Sequence, residues 1–100
     1  MSDKRREYPL TIIFNKRHFI RVVIDPHYEK NHPDVTDQLV LDLVRLLDGV
    51  ESDPVGENDG FKYFAETIAW QSKTYRVVLA YCEEDFLGVI NAFRVKEMKA

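Results

Sequence analysis

One cysteine, Cys82, is the entire thiol content of this chain, which excludes an internal disulfide framework and any cysteine-rich zinc site. No second cysteine and no adjacent basic residue accompanies it, so it reads as a small buried hydrophobe rather than a nucleophile. Long apolar runs are missing too. The longest are stretches such as VVLAY at 77–81, far short of the ~20 residues that cross a bilayer, so no membrane partner is expected. The opening MSDKRREYPL is basic, but no apolar segment follows it, which sets it apart from a secretory leader. Internal repeats and low-complexity segments are also absent. Together these absences point to a reducing, cytoplasmic setting.

What is present is an ordinary globular composition, 45% hydrophobic and 31% charged over 100 residues, enough for one α+β domain spanning 1–100. Residues 1–8 read as a flexible N-terminal tail. The net charge of −3 is unevenly spread, at +3 over residues 1–32, −7 over 33–60 and +1 over 61–100. An acidic chain is poorly suited to indiscriminate nucleic-acid binding, which lives on Lys and Arg contacts to phosphate. The acidic middle third reads as a solvated helix and loop. It also offers a match to a basic protein surface.

The pattern along the chain predicts a hairpin first. PLTIIF (9–14) and FIRVVI (19–24) are β-branched and aromatic runs joined by Asn15-Lys16-Arg17-His18, and Asp25-Pro26 closes the second. A helix follows, capped by Asp34, with Leu39, Val40, Leu43, Val44 and Leu47 at helical spacing and Gly49 as its terminator. ESDPVGENDG (51–60) reads as a polar connection. Three further runs, 61–70, 74–82 and 86–95, are separated by three-residue joins that make consecutive strands antiparallel. The expected fold is a single helix packed on one face of a mostly antiparallel five-stranded sheet, in the order β-β-α-β-β-β.

Few residues carry chemistry. His27, Lys30 and His32 lie between the hairpin and the helix, and histidine suits proton transfer near neutral pH. With Lys30 and Arg76 beside a phosphate, His27 and His32 could supply the base and acid for metal-free cleavage of RNA. A solvated connection with idle histidines is the plainer reading. As metal ligands the two would need a third partner from elsewhere, and no metal or cofactor is implied. Arg76 stands on an otherwise apolar strand and faces either a ligand or a cross-strand partner such as Glu66. Asn91 shares the parity of Leu87, Val89 and Phe93 and so should interrupt an apolar face. Trp70 and the Phe61, Tyr63, Phe64 group offer stacking surfaces, though aromatics of this kind are more often core.

The stretch KTYRVVLAYCEEDFLGVINAFRVKE (73–97) resembles the C-terminal half of the RelE/ParE superfamily of small toxins. Tyr75 and Arg76 match its "YR" strand, Glu83, Glu84 and Asp85 its acidic turn, and Arg94 and Lys96 its basic end. The resemblance implies a metal-independent ribonuclease that acts on messenger RNA at the ribosome and is held inactive by an antitoxin. Arg76 would contact phosphate, with Arg94, Lys96 and Tyr75 binding substrate. The chain differs from that family in being acidic and in opening with a β-hairpin. The alternative is a non-catalytic binding, immunity or regulatory protein, working through a partner or through a homodimer formed at the PLTIIF edge.

Overall fold

The computed structural model describes residues 5–26, 32 and 34–95. Strand β1 (Arg6–Phe14) turns back into β2 (Arg17–Ile24), helix α1 (Asp37–Arg45) follows, and β3 (Gly56–Asn58), β4 (Phe61–Trp70), β5 (Lys73–Tyr81) and β6 (Phe86–Val95) complete one sheet. Its order is β1-β2-β6-β5-β4-β3. β1 begins inside the stretch expected to be a tail.

The structure corrects the expected five-stranded, mostly antiparallel sheet in the order β-β-α-β-β-β. Among the described residues six strands form, and the sheet is mixed, because β2 and β6 run parallel with Val22 beside Leu87 and Ile24 beside Val89. Short turns dictate direction only between consecutive strands. They leave open which strand the hairpin meets, and β6 is the one that joins it to the rest. The sixth strand, β3, comes from the stretch expected to be loop. Asp59 and Gly60 both take positive φ, 54° and 82°, which makes a tight turn whose hand matches strand twist and folds Gly56–Asn58 onto β4. Asn15-Lys16 and Gln71-Ser72 make the same two-residue turn, so Arg17, His18 and Lys73 belong to strands.

α1 is capped by Thr36 rather than Asp34. Thr36 is extended and its Oγ1 accepts from the Leu39 N–H at 3.1 Å, the geometry that satisfies an otherwise orphaned donor. Val40, Leu41, Leu43, Val44 and the following Leu47 are buried. They meet Ile12, Phe14, Phe19, Val22, Phe64, Val77, Leu79 and Leu87 in a single core. Within it Phe64 stands edge-on to Phe14 at 5.2 Å and stacks on Tyr81 at 5.1 Å.

Asp37, the first helical residue, is tied to β1. Its carboxylate accepts from the Arg6 guanidinium at 2.6 and 3.1 Å and from the Tyr8 hydroxyl at 2.5 Å. After the helix, Gly49 (φ 85°) turns the chain back along the free edge of β1. There the Gly49 N–H donates to Ile13 O, the Asn15 N–H donates to Val50 O, and Asp48 accepts from the Ile13 N–H. The edge expected to pair with another copy is thus occupied over Ile13–Asn15 by the chain's own return.

Candidate functional site

Because side chains alternate along a strand, the sheet has two distinct faces. Tyr75, Val77, Leu79 and Tyr81 of β5 enter the core with the helix. Directly paired residues share a face, so the other side carries Thr74, Arg76, Val78 and Ala80 with their partners on β4 and β6. No described helix or strand covers that second face. α1 has nine residues and spans about 13.5 Å, against a sheet of six strands roughly 24 Å wide.

A bulge decides what this open face contains. β5 and β6 pair Leu79 with Val89 and then Val78 with Asn91, skipping Ile90. The extra residue reverses the alternation of β6. Asn91 therefore leaves the parity of Leu87 and Val89 and does not interrupt the core as expected. It lies opposite Val78 on the open face, and its Oδ1 accepts from the Ala92 N–H at 3.0 Å. Phe93 moves with it and stands directly across from Arg76.

Arg76 is exposed, and its Nη2 donates to Thr67 Oγ1 at 3.3 Å. Thr67 is its true cross-strand neighbour. Glu66, one of the two alternatives the sequence leaves for Arg76, pairs with Val77 and points to the other face. His32 is half-buried, and its ring stacks on Phe93 at 5.3 Å with the planes 26° apart. Phe93 thus has the Arg76 position across the ladder and the His32 imidazole upon its ring. His27, Lys30 and Lys96 lie outside the described residues.

The two remaining positions take the other side. Tyr75 is 6% exposed within the core, and Arg94, its partner across the ladder, shares that side of the sheet while staying exposed. Arg76 and Arg94 accordingly project from opposite faces. Trp70 packs against the core and Phe64 is wholly inside it, whereas Phe61 and Tyr63 belong to the open face. Cys82 is half-buried, and its carbonyl accepts from Arg17, whose guanidinium lies 4.9 Å from the Tyr81 ring centre. Among the described residues no three His, Cys, Asp or Glu gather as metal ligands.

One feature of the open face has no counterpart in the sequence reading. A row of paired residues crosses it from Glu7 through Val23, Gly88 and Ala80 to Tyr63. Gly88 and Ala80 within it have almost no side chain, so the row sinks into a hollow of about 170 Å³ walled by Val23, Phe61, Tyr63 and Phe86. Arg5 and Asp25 stand at its rim. Phe86 is held from outside by Arg21, whose guanidinium lies 5.4 Å from the ring centre. Asp85 and Glu7 each accept from that guanidinium, at 3.0 and 2.9 Å, and raise it further above its ordinary pKa. A glycine in mid-strand is the signal that would have found this place, since it marks close backbone approach or a ligand.

Compared with family models, curated proteins and solved structures, the chain matches none.

Proposed function

We propose that this chain is a binding protein that meets a partner protein through the face of its sheet that no described helix or strand covers. The supporting observation is the make-up of that face. Phe61, Tyr63, Val78 and Phe93 are only half-buried there, and Ile90 is 38% exposed. Aromatic residues at the centre of a surface are the usual carriers of interface energy. Each such side chain covered by a partner contributes about 1.5–3 kcal/mol. The test is a retention assay with wild-type protein as bait beside Phe93→Asp and Tyr63→Asp, each checked for native circular dichroism. The wild type is expected to hold a partner at moderate salt that both variants release. Equal retention by all three would refute the proposal.

A second reading rests on the neighbourhood of Phe93. An arginine fit for phosphate and an imidazole fit for proton transfer flank one ring on an open surface. In line with the resemblance to RelE-type toxins, that arrangement suits cleavage of single-stranded RNA without metal. Purified protein should then cut RNA in EDTA, and Arg76→Ala or His32→Ala should abolish the activity. An inactive wild type, or two fully active variants, rules this reading out.

A further inference from the structure

We propose that the hollow over Gly88 is the receptor for one aromatic side chain of the partner, presented next to a carboxylate. The inference rests on that open face being the contact surface, and it names the chemistry that the surface selects.

The first argument is the glycine itself. Gly88 lies between β2 and β5 in the middle of the sheet, where glycine weakens a strand. Its backbone does not require it, since the positive-φ glycines are Gly49 and Gly60. Nor does internal packing. An added Cβ would meet Ala80 O at 3.4 Å, the Phe86 ring at 3.9 Å and Val23 O at 4.0 Å, all ordinary contacts. What glycine provides here is room.

Size and walls define what fills that room. An apolar cavity of ~150 Å³ accepts a benzene molecule, and the hollow measures about 170 Å³. Phe61, Tyr63 and Phe86 offer ring faces and edges for offset or edge-to-face contact with another ring. The Arg21 clamp on Phe86 holds one wall in place before anything arrives, which lowers the cost of ordering on binding. Among the described residues the hollow has floor and walls but no lid. A free ring would stay partly wet, whereas small-molecule sites bury about 70–90% of their ligand. A ring carried on a partner brings its own cover, and this selects a side chain over a free compound.

The rim supplies the charge preference. Asp25 is engaged in an interaction of its own. Arg5 makes no ion pair among the described residues, so it is the charge offered to an incoming group. An acidic residue beside the aromatic one is its complement.

The experiment uses capped dipeptides as probes and follows backbone amides by NMR. N-acetyl-Asp-Phe-amide at millimolar concentration is expected to shift Val23, Ala80 and Gly88, and N-acetyl-Asp-Ala-amide to leave them in place. N-acetyl-Lys-Phe-amide should bind about two- to fivefold more weakly, as for loss of one exposed charge pair, and Arg5→Ala should erase that preference. Gly88→Val should abolish the shifts. Gly88→Ala, which the surroundings tolerate, should weaken binding by about tenfold if the larger variant fails to fold. Unmoved amides in the wild type, or equal shifts in the filled variants, would overturn the proposal. Phe93 does not line the hollow, so Phe93→Asp tests the contact surface separately. Loss of the partner from Phe93→Asp, with no dipeptide binding, refutes the receptor and keeps the face.

Discussion

Replacing Asp37 with alanine should be the most damaging single change at a residue that is not part of the apolar core. Its carboxylate joins the first turn of α1 to β1 through two bonds from Arg6 and one from Tyr8. Hydrogen bonds to a charged group are each worth about 1.5–3 kcal/mol when the partner stays buried. That condition is only partly met. The Asp37 side chain is 15% exposed and that of Arg6 36%, so the freed guanidinium and hydroxyl can turn toward water. The loss of favourable charge at a helix N-terminus adds a few tenths of a kcal/mol. A total of about 2–3 kcal/mol follows, well below the 3–5 that a fully buried broken pair would cost. For a domain of this size that lowers Tm by roughly 10–20 °C. Tyr8→Phe, which leaves the arginine pair intact, should cost about 1 kcal/mol. Urea melts followed by circular dichroism give both values. Asp42→Ala is the control, since Asp42 contacts Gln38 and Arg45 on the solvent side of the helix, and such pairs contribute only about 0.2–0.5 kcal/mol. If Asp37→Ala costs no more than Asp42→Ala, the tie between helix and hairpin contributes nothing and the reasoning fails.

Three other outcomes are expected. Donation to the Asp37 carboxylate raises the Tyr8 pKa above its ordinary 10.0. Above pH 10 the unfolded chain gives up that proton before the native one does, so this contribution is complete below pH 10 and fades as pH climbs toward the raised native value. Urea midpoints from pH 8 to 11 should show the gap between wild type and Tyr8→Phe narrowing at the alkaline end, and a gap that widens there would contradict it. Phe64→Ala empties a fully buried site against Phe14 and Tyr81 and should cost about 3–5 kcal/mol in the same melts. A loss under about 1 kcal/mol would mean that the core collapses around the vacancy. Gln71 and Ser72 hold φ of 51° and 69°, a region that disfavours both side chains. The double change Gln71→Asn, Ser72→Gly should therefore raise stability by about 1 kcal/mol with no change in m-value, and a lower urea midpoint would argue against this turn.

How much of this was legible in the residues depends on the range of the interaction. The stripe Val40, Leu43, Val44 is local, with a period set by the helix itself, and there the chain is helical, with Leu47 buried just past its end. The cap is ambiguous in sequence because Asp34 and Thr36 are both good capping residues two positions apart, and only the observed bond to Leu39 separates them. β3 is hidden in the sequence because an exposed edge strand of Gly, Glu and Asn carries no hydrophobic pattern. The Asp59-Gly60 pair was its one signal. The parallel join of β2 with β6 depends on segments more than sixty residues apart, beyond what periodicity records. The candidate site suffered most from a single bulge. Strict alternation puts Asn91 and Phe93 with Leu87 and Val89, and skipping Ile90 moves both to the open face, beside Val78 and Arg76. The placement of His32 on that same ring could not have been read from spacing.

The position of β6 has a consequence for synthesis. The strand made last among the six sits between the hairpin and the three-stranded unit β3-β4-β5, so neither part can seal its inner edge until residues near Val95 have emerged. While translation continues, β2 and β5 each present an unpaired rim, a period in which nascent chains are open to mispairing with one another.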